Sequence, residues 1–197
     1  DRPVASLDTT IAMRYQRALG PDEFAVGRVE LPLPRGRWRY RASLQQGDST
    51  GVVLPRDAVT VADIYSGRLS LSDLALGAPG RAIPWVTDAA DTVLLAPSAL
   101  FRRGSEIRLY YETSGVRRGF RYRHEITVLR PNRRDGRRGR PLVALSFEEE
   151  APDSVMRSRR SVRLGKLKEG SYVVEVKVTA PDGEVQLRRR DIRLIER

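Results

Sequence analysis

The residues best suited to catalysis in this chain are a single histidine and a run of three glutamates. His124 is the only histidine, and the chain has no cysteine. Common zinc sites and Cys–His catalytic pairs need a second histidine or a cysteine. The Gly-x-Ser-x-Gly turn that presents a catalytic serine in many hydrolases is also absent. His124 alternates with Tyr122 and Ile126 along a strand-like segment. We therefore predict a half-buried structural histidine with satisfied hydrogen bonds, and no catalytic residue or metal site.

The acidic run Glu148-Glu149-Glu150 has the residue types for calcium binding or acid–base chemistry. Successive side chains of a strand point to opposite faces, so these three cannot converge on one site. Charged residues at a sheet edge also discourage edge-to-edge aggregation, and we predict a solvated edge here. Neither of the glycine-rich nucleotide-binding motifs occurs, so the sequence predicts an interaction protein without a cofactor rather than an enzyme.

Arginine dominates the charge of the chain. The formal net charge is +11, and only three of the 36 basic residues are lysine. A long polar turn with the turn dipeptides Pro131-Asn132 and Asp135-Gly136 carries a dense arginine group. Guanidinium groups form paired hydrogen bonds with carboxylates and phosphates, so this group is the candidate partner-binding surface. Its members are Arg117, Arg118, Arg121, Arg123, Arg130, Arg133, Arg134, Arg137, Arg138 and Arg140.

Two further basic clusters leave the class of partner open. One spans 157–163 and the other is Arg188-Arg189-Arg190, and the sequence does not show whether either adjoins the long turn. A GC-rich genome would produce the same arginine bias on any solvated surface. Nucleic acid is disfavoured as a partner because no recognition helix and no row of exposed aromatic residues is evident. An acidic protein or an anionic lipid head group remains.

Apolar and polar residues alternate with a period of two, as in Val174, Val176 and Val178. This pattern predicts an all-β fold, with turn dipeptides at the spacing of β-sandwiches. A short segment at 10–19 is the one helical candidate. The predicted strands are 24–31, 38–45, 58–62, 69–76, 107–114, 120–129, 142–148, 161–164, 173–179 and 185–195.

An internal repeat indicates two domains. Gly36-x-Trp38 recurs as Gly170-x-Tyr172, each with a leucine three positions before the glycine, and the copies align without a gap at an offset of 134 (170 − 36). The motif resembles the tyrosine corner that precedes the last strands of immunoglobulin-like sandwiches. We therefore predict tandem immunoglobulin/fibronectin-like antiparallel β-sandwiches. A partial sandwich would span 1–65 and a C-terminal immunoglobulin-like sandwich 66–197.

Three motifs follow one another after this first domain. They are LSDLAL (71–76), APS with FRRG (96–104), and IRLYYE (107–112), and a closing L-x-x-G-x-Y hairpin starts at Leu167. This order, over residues 25–197, resembles the C-terminal region of bacterial GWxTD-domain proteins. The resemblance implies a β-sandwich that follows a separate N-terminal domain in an exported protein. The Gly-Trp-x-Thr-Asp motif itself is absent, so no activity of that domain carries over.

Composition sets the remaining expectations. With 197 residues and 40% hydrophobic content, the chain can bury a core without disulfides or metals. It has no apolar run of the roughly 18 residues that span a membrane. The start at Asp1, without Met or a leader, indicates a processed or truncated N-terminus.

We therefore expect an exported structural or interaction protein, periplasmic or otherwise extracytoplasmic and peripheral to a membrane. Its arginine-rich loops would bind an acidic or membrane-embedded protein partner, for example in a respiratory or photosynthetic complex. One alternative is the β-sandwich appendage of a larger enzyme whose catalytic domain lies upstream. Another is a charge-driven binder of anionic lipid or polymer.

Overall fold

The structure is a computed structural model that describes residues 4–12, 27–48, 50–61, 63, 66–78, 83–87, 90, 92–131, 140–165 and 167–196. These residues form β-strands and no helix, which confirms the all-β prediction. Residues 10–12 of the helical candidate are not helical, and 13–19 lie outside the described residues. No described segment forms an apolar helix long enough to cross a membrane. The chain divides into two compact units, Asp1–Asp63 and Ile64–Arg197.

Unit 1 contains an antiparallel ribbon. Its first strand pairs with its fourth and its second with its third, around a turn at Gly47, which has a φ of 60°. The prediction of a strand at 24–31 is wrong for 27–31, which form no strand, and 24–26 lie outside the described residues. Pro32 and Pro34 interrupt this region, and proline cannot donate a ladder hydrogen bond. The strands are β1 (Gly36–Tyr40), β2 (Ser43–Gln46), β3 (Thr50–Val53) and β4 (Asp57–Val61).

Unit 2 contains two main sheets and a separate hairpin formed by its third and fourth strands. Alternating apolar positions in the longer strands give each main sheet one buried face. The strands are β5 (Ser70–Leu71), β6 (Ala75–Gly77), β7 (Ile83–Val86), β8 (Thr92–Leu95), β9 (Leu100–Arg102), β10 (Glu106–Ser114), β11 (Arg121–Leu129), β12 (Val143–Glu150), β13 (Val155–Arg163), β14 (Gly170–Thr179) and β15 (Val185–Ile195).

The first sheet has the order β13-β10-β5, with β6 also paired to β10, and the second has the order β12-β11-β14-β15-β9. All pairings are antiparallel except that of β9 with β15, which is parallel. This pair departs from the purely antiparallel prediction. The reason is that the chain passes through the second sheet as β9 before it enters the first sheet as β10.

Side chains from both main sheets form one hydrophobic core. On β14, Tyr172, Val174, Val176 and Val178 are each at most 3% exposed, and β10 contributes residues such as Ile107. Burial of each large aliphatic side chain contributes roughly 1.5–3 kcal/mol. This core makes unit 2 a rigid frame for the loops at its ends.

The LSDLAL motif has a structural explanation in unit 2. Ser72 lies in the break between β5 and β6, where its hydroxyl accepts a hydrogen bond from the Glu112 amide at 2.9 Å. The Ser72 amide donates to the Glu112 carbonyl at 2.9 Å. The side chain therefore replaces a missing ladder bond, and β5 and β6 both stay on β10.

The two copies of the repeat form the same corner. The Trp38 indole donates to the carbonyl of Pro34 at 2.7 Å, and the Tyr172 hydroxyl donates to the carbonyl of Lys168 at 2.8 Å. In each copy the acceptor lies four residues before the aromatic residue. The glycines two positions before the aromatic residues have φ angles of 134° and 136°. Such angles favour glycine, which explains why the motif requires it.

Strand register is also shared, with one exception. The β2–β3 and β14–β15 pairs follow equivalent registers next to their turns. The β1–β4 pair is shifted by one residue relative to the equivalent part of the β14–β15 pair. Trp38 pairs with Val59, whereas Tyr172 pairs with Ile192, which corresponds to position 58. Pro55 lies in this shift and cannot donate to the ladder, as is common at a bulge.

Candidate interaction surface

The predicted binding arginines lie at opposite ends of β11. Arg117 and Arg118 are in the loop before β11, Arg121 is its first residue, and all three are exposed. Arg130 and Arg140 flank the turn between β11 and β12 at the other end and are also exposed. β11 has nine residues, so its ends lie roughly 30 Å apart at about 3.4 Å per residue. The two groups therefore cannot form one continuous patch.

Ion pairing distinguishes Arg123 from the other described candidates. Arg123 lies 3.3 Å from Glu125 on the outer face of the second sheet. The other candidates form no ion pair with any described residue. These are Arg117, Arg118, Arg121, Arg130 and Arg140. The remaining candidates, Arg133, Arg134, Arg137 and Arg138, lie outside the described residues.

A shallow cleft of about 360 Å³ opens beside the β11–β12 turn. Pro131 lines it next to the turn, and Asp191 and Arg193 of β15 line it from the neighbouring strands. Arg193 is exposed and forms no ion pair with a described residue, and it lines the same cleft as Pro131, the chain neighbour of Arg130. We call Arg130, Arg140 and this cleft the turn-end surface.

The backbone of the cleft is strained at one position. Ala99 lines the cleft with a φ of 51°, in the left-handed region that costs a non-glycine residue roughly 1 kcal/mol or more. Its carbonyl accepts a hydrogen bond from the Arg193 amide at 3.0 Å, which holds the conformation. Strain of this kind is concentrated at functional sites. Ser98 and Ser171 add hydroxyl groups and Asp191 adds a carboxylate beside the Arg193 guanidinium, so the cleft can form hydrogen bonds with a polar side chain.

The basic cluster at 157–163 lies on a different sheet. Arg157 and Arg163 are on the outer face of β13, at 3.5 Å from Glu112 and 3.9 Å from Glu106. Exposed pairs of this length contribute at most about 1 kcal/mol. The cluster at 188–190 is partly paired too, since Arg189 lies 2.7 Å from Glu175. Neither cluster extends the turn-end surface.

An aromatic pair lies beneath the β13 arginines. Trp85 of the β7–β8 hairpin packs edge-on against Tyr110, with ring centroids 5.9 Å apart. Burial, and then the hydrogen bond from its hydroxyl to Glu112, raise the pKa of Tyr110 to about 12. The Arg159 guanidinium lies 5.9 Å from the centre of the Tyr110 ring. Tyr110 is therefore a neutral packing residue on this face.

A polar network missed by the sequence reasoning closes the side of unit 2 between β12 and β13. Glu149 accepts hydrogen bonds from Ser158 and Arg160, both at 2.9 Å, and Arg160 stacks 4.3 Å from the centre of the Phe147 ring. The prediction of a solvated acidic edge is therefore wrong for Glu149, although Glu148 and Glu150 are exposed. A signal existed, because Arg160 alternates onto the same face as Ser158 and Val162.

His124 is more deeply buried than predicted. Its side chain is inaccessible to solvent, Tyr111 is its hydrogen-bond partner at Nδ1 at 2.9 Å, and Phe147 stacks on it with centroids 4.9 Å apart. The prediction of a half-buried and fully satisfied histidine is wrong, because Nε2 has no hydrogen-bond partner among the described residues. Burial lowers the pKa of His124 to about 4, so it is neutral near pH 7. It has no access to a substrate.

No protein-family model matches the chain, and no curated protein sequence is similar to it. Among the described residues, no group of three acidic or histidine side chains is placed to hold a metal ion. The resemblance to GWxTD-domain proteins therefore rests on the motifs given above.

Proposed function

We propose that this chain is a non-enzymatic interaction protein that binds an acidic partner protein through the turn-end surface. The observation that carries the proposal is the pairing pattern of the arginines. Arg130, Arg140 and Arg193 are exposed and form no ion pair with a described residue, whereas Arg123, Arg160 and Arg189 are paired within the chain. Exposed guanidinium groups are suited to bidentate contacts with carboxylates.

We also propose that unit 2 is an immunoglobulin-like sandwich. In its support, a sheet of order β12-β11-β14-β15-β9 shares one core with a sheet of order β13-β10-β5. The corner hydrogen bond of Tyr172 is further support. Sandwiches of this type commonly bind partners through the loops at one end of the strands, which is where Arg130 and Arg140 lie.

We further propose that the protein is exported and peripheral to a membrane, as an accessory subunit of a membrane complex such as a respiratory or photosynthetic one. The support is the resemblance of residues 25–197 to exported GWxTD-domain proteins. The net charge of +11 adds to it, because it favours association with acidic surfaces.

The test is affinity capture of the full chain from gently solubilised native membranes, followed by mass spectrometry. Three proteins are compared: the wild type, Arg130→Gln/Arg140→Gln, and the control Arg157→Gln/Arg163→Gln. Both variants lose the same charge, but the control arginines are exposed, weakly paired residues on another sheet. We expect a stoichiometric partner that the turn-end variant loses and the control retains.

Two outcomes would overturn the proposal. Equal loss in both variants, with binding to anionic vesicles that disappears at high salt, would indicate charge-driven binding of lipid or polymer. Retention of the partner by the turn-end variant would place the interface elsewhere.

A further inference from the structure

The ribbon of unit 1 has one apolar face that the described residues leave exposed. Tyr40, Leu44, Val52 and Leu54 are 41%, 62%, 51% and 41% exposed. Strand alternation and the β2–β3 pairing put these residues on the same face as Trp38. Among the described residues of unit 1, none is buried. A ribbon of this composition normally packs against another layer, because isolated two-stranded ribbons are at best marginally stable.

The internal repeat shows what covers such a face in this chain. At the offset of 134, Trp38, Tyr40, Ala42 and Leu44 correspond to Tyr172, Val174, Val176 and Val178, which are at most 3% exposed. In unit 2, β11 pairs with the free edge of β14, and the first sheet covers the apolar face. Unit 1 has the corner and the hairpin of the repeat, but none of its described strands takes the position of β11.

Charge indicates the chemistry of the strand that would fit. Arg37 and Arg39 of β1 and Arg41 just after it alternate on the face opposite Trp38, and none forms an ion pair with a described residue. On the equivalent outer face of unit 2, Lys177 of β14 forms a 2.5 Å ion pair with Glu125 of β11. A strand beside β1 would therefore place its outward side chains against arginines, and carboxylates at alternate positions would complement them.

We infer that the free edge of β1–β2 binds an extended strand of a partner protein in which apolar residues alternate with Asp or Glu. The strand pairs antiparallel to β1, in the position that β11 occupies beside β14. Its apolar side chains extend the Trp38 face, its carboxylates face Arg37, Arg39 and Arg41, and its backbone adds to the ladder. This inference deepens the proposed function and rests on it, since it names the element of the acidic partner that unit 1 would bind.

The experiment uses the full chain and three synthetic nine-residue peptides labelled with a fluorophore. One alternates valine with glutamate, a second alternates valine with lysine, and a third is the glutamate peptide with N-methylated amides along one edge. Binding is measured by fluorescence anisotropy. We expect the glutamate peptide to bind about tenfold more tightly than either of the others, because three cross-strand charge pairs and the ladder bonds favour it.

Variants of the chain locate the binding. We expect Arg39→Gln/Arg41→Gln to weaken binding of the glutamate peptide about tenfold, and Leu44→Lys to weaken it similarly. These side chains are exposed, so the folding of unit 2 is unaffected. Arg157→Gln/Arg163→Gln removes the same charge from β13 of unit 2, serves as the matched control and retains binding. Arg130→Gln/Arg140→Gln is measured beside it to separate the edge of unit 1 from the turn-end surface.

The outcomes separate this inference from the proposed function. Loss of binding only in the turn-end variant would overturn the inference and leave the turn-end surface as the binding site. Failure of all three peptides to bind would overturn the inference, whatever partner the capture experiment finds. If the chain self-associates and Leu44→Lys abolishes this, the apolar face binds a second copy. If the chain binds anionic vesicles and Leu44→Lys abolishes this, the face binds a membrane. Either result would also overturn the inference.

Discussion

Acidification from about pH 7 to about pH 4.5 is expected to destabilise unit 2 through His124. The unfolded chain binds a proton at His124 with a pKa of 6.5, whereas burial lowers the folded value to about 4. Between these two pKa values the unfolded state binds more protons than the folded state. The contribution of neutral His124 to the free energy of unfolding is therefore fully present above pH 6.5 and is lost as the pH falls towards 4. The lost free energy of unfolding is about 2 kcal/mol at pH 4.5. Two charged groups act on this ring in opposite directions: the Glu149 carboxylate favours protonation of His124 and raises its pKa, whereas the Arg160 guanidinium lowers it, and burial is the largest effect.

The assay is urea unfolding at several pH values, followed by Trp85 fluorescence in a Trp38→Phe background so that the signal reports unit 2. The comparison is His124→Gln, which keeps an acceptor for Tyr111 but does not titrate. We expect the stability of the wild type to fall by about 2 kcal/mol more than that of the variant over this range. The hydrogen bond from Lys177 lowers the pKa of the Glu125 carboxyl. Glu125 is present in both proteins, so its contribution to the pH dependence cancels in the comparison. An equal pH dependence in the two proteins would refute the reasoning.

Two further predictions concern the frame. Gly115→Ala should destabilise unit 2 by about 2 kcal/mol more than Gly119→Ala in urea unfolding. Both glycines have positive φ. An added Cβ at Gly115 would lie 1.9 Å from the carbonyl oxygen of Arg68, whereas an added Cβ at Gly119 would have no neighbour within 4 Å. Equal destabilisation by the two substitutions would contradict this explanation. Tyr172→Phe should cost about 1 kcal/mol by removing the 2.8 Å hydrogen bond to the carbonyl of Lys168, and no measurable change would show that the corner bond is dispensable.

The parts of the fold that could be predicted from sequence are those with strong alternation. The strands around Val174 and Ile126 have apolar residues at every second position, and the observed β14 and β11 follow them closely. The repeat of Gly36-x-Trp38 and Gly170-x-Tyr172 also predicted paired elements, because the glycine conformation and the aromatic hydrogen bond are local. Local chemistry of this kind is visible in sequence.

The parts that could not be predicted depend on contacts between distant elements. β13 extends from Val155 to Arg163, but its arginines hid the alternation because Arg160 is inward-facing and pairs with Glu149. Pro84 lies within β7 and obscured the β7–β8 hairpin. For the candidate site, exposure of Arg130 could be expected from the turn, whereas the cleft with Arg193 depends on strand order in the sheet.

The most direct test of the proposed interface is the rate at which individual arginines react with phenylglyoxal, measured by mass spectrometry on the free chain and on the captured complex. We expect Arg130, Arg140 and Arg193 to become protected in the complex while Arg157 and Arg163 react at unchanged rates. Unchanged reactivity at Arg130 and Arg140 in a stoichiometric complex would contradict it.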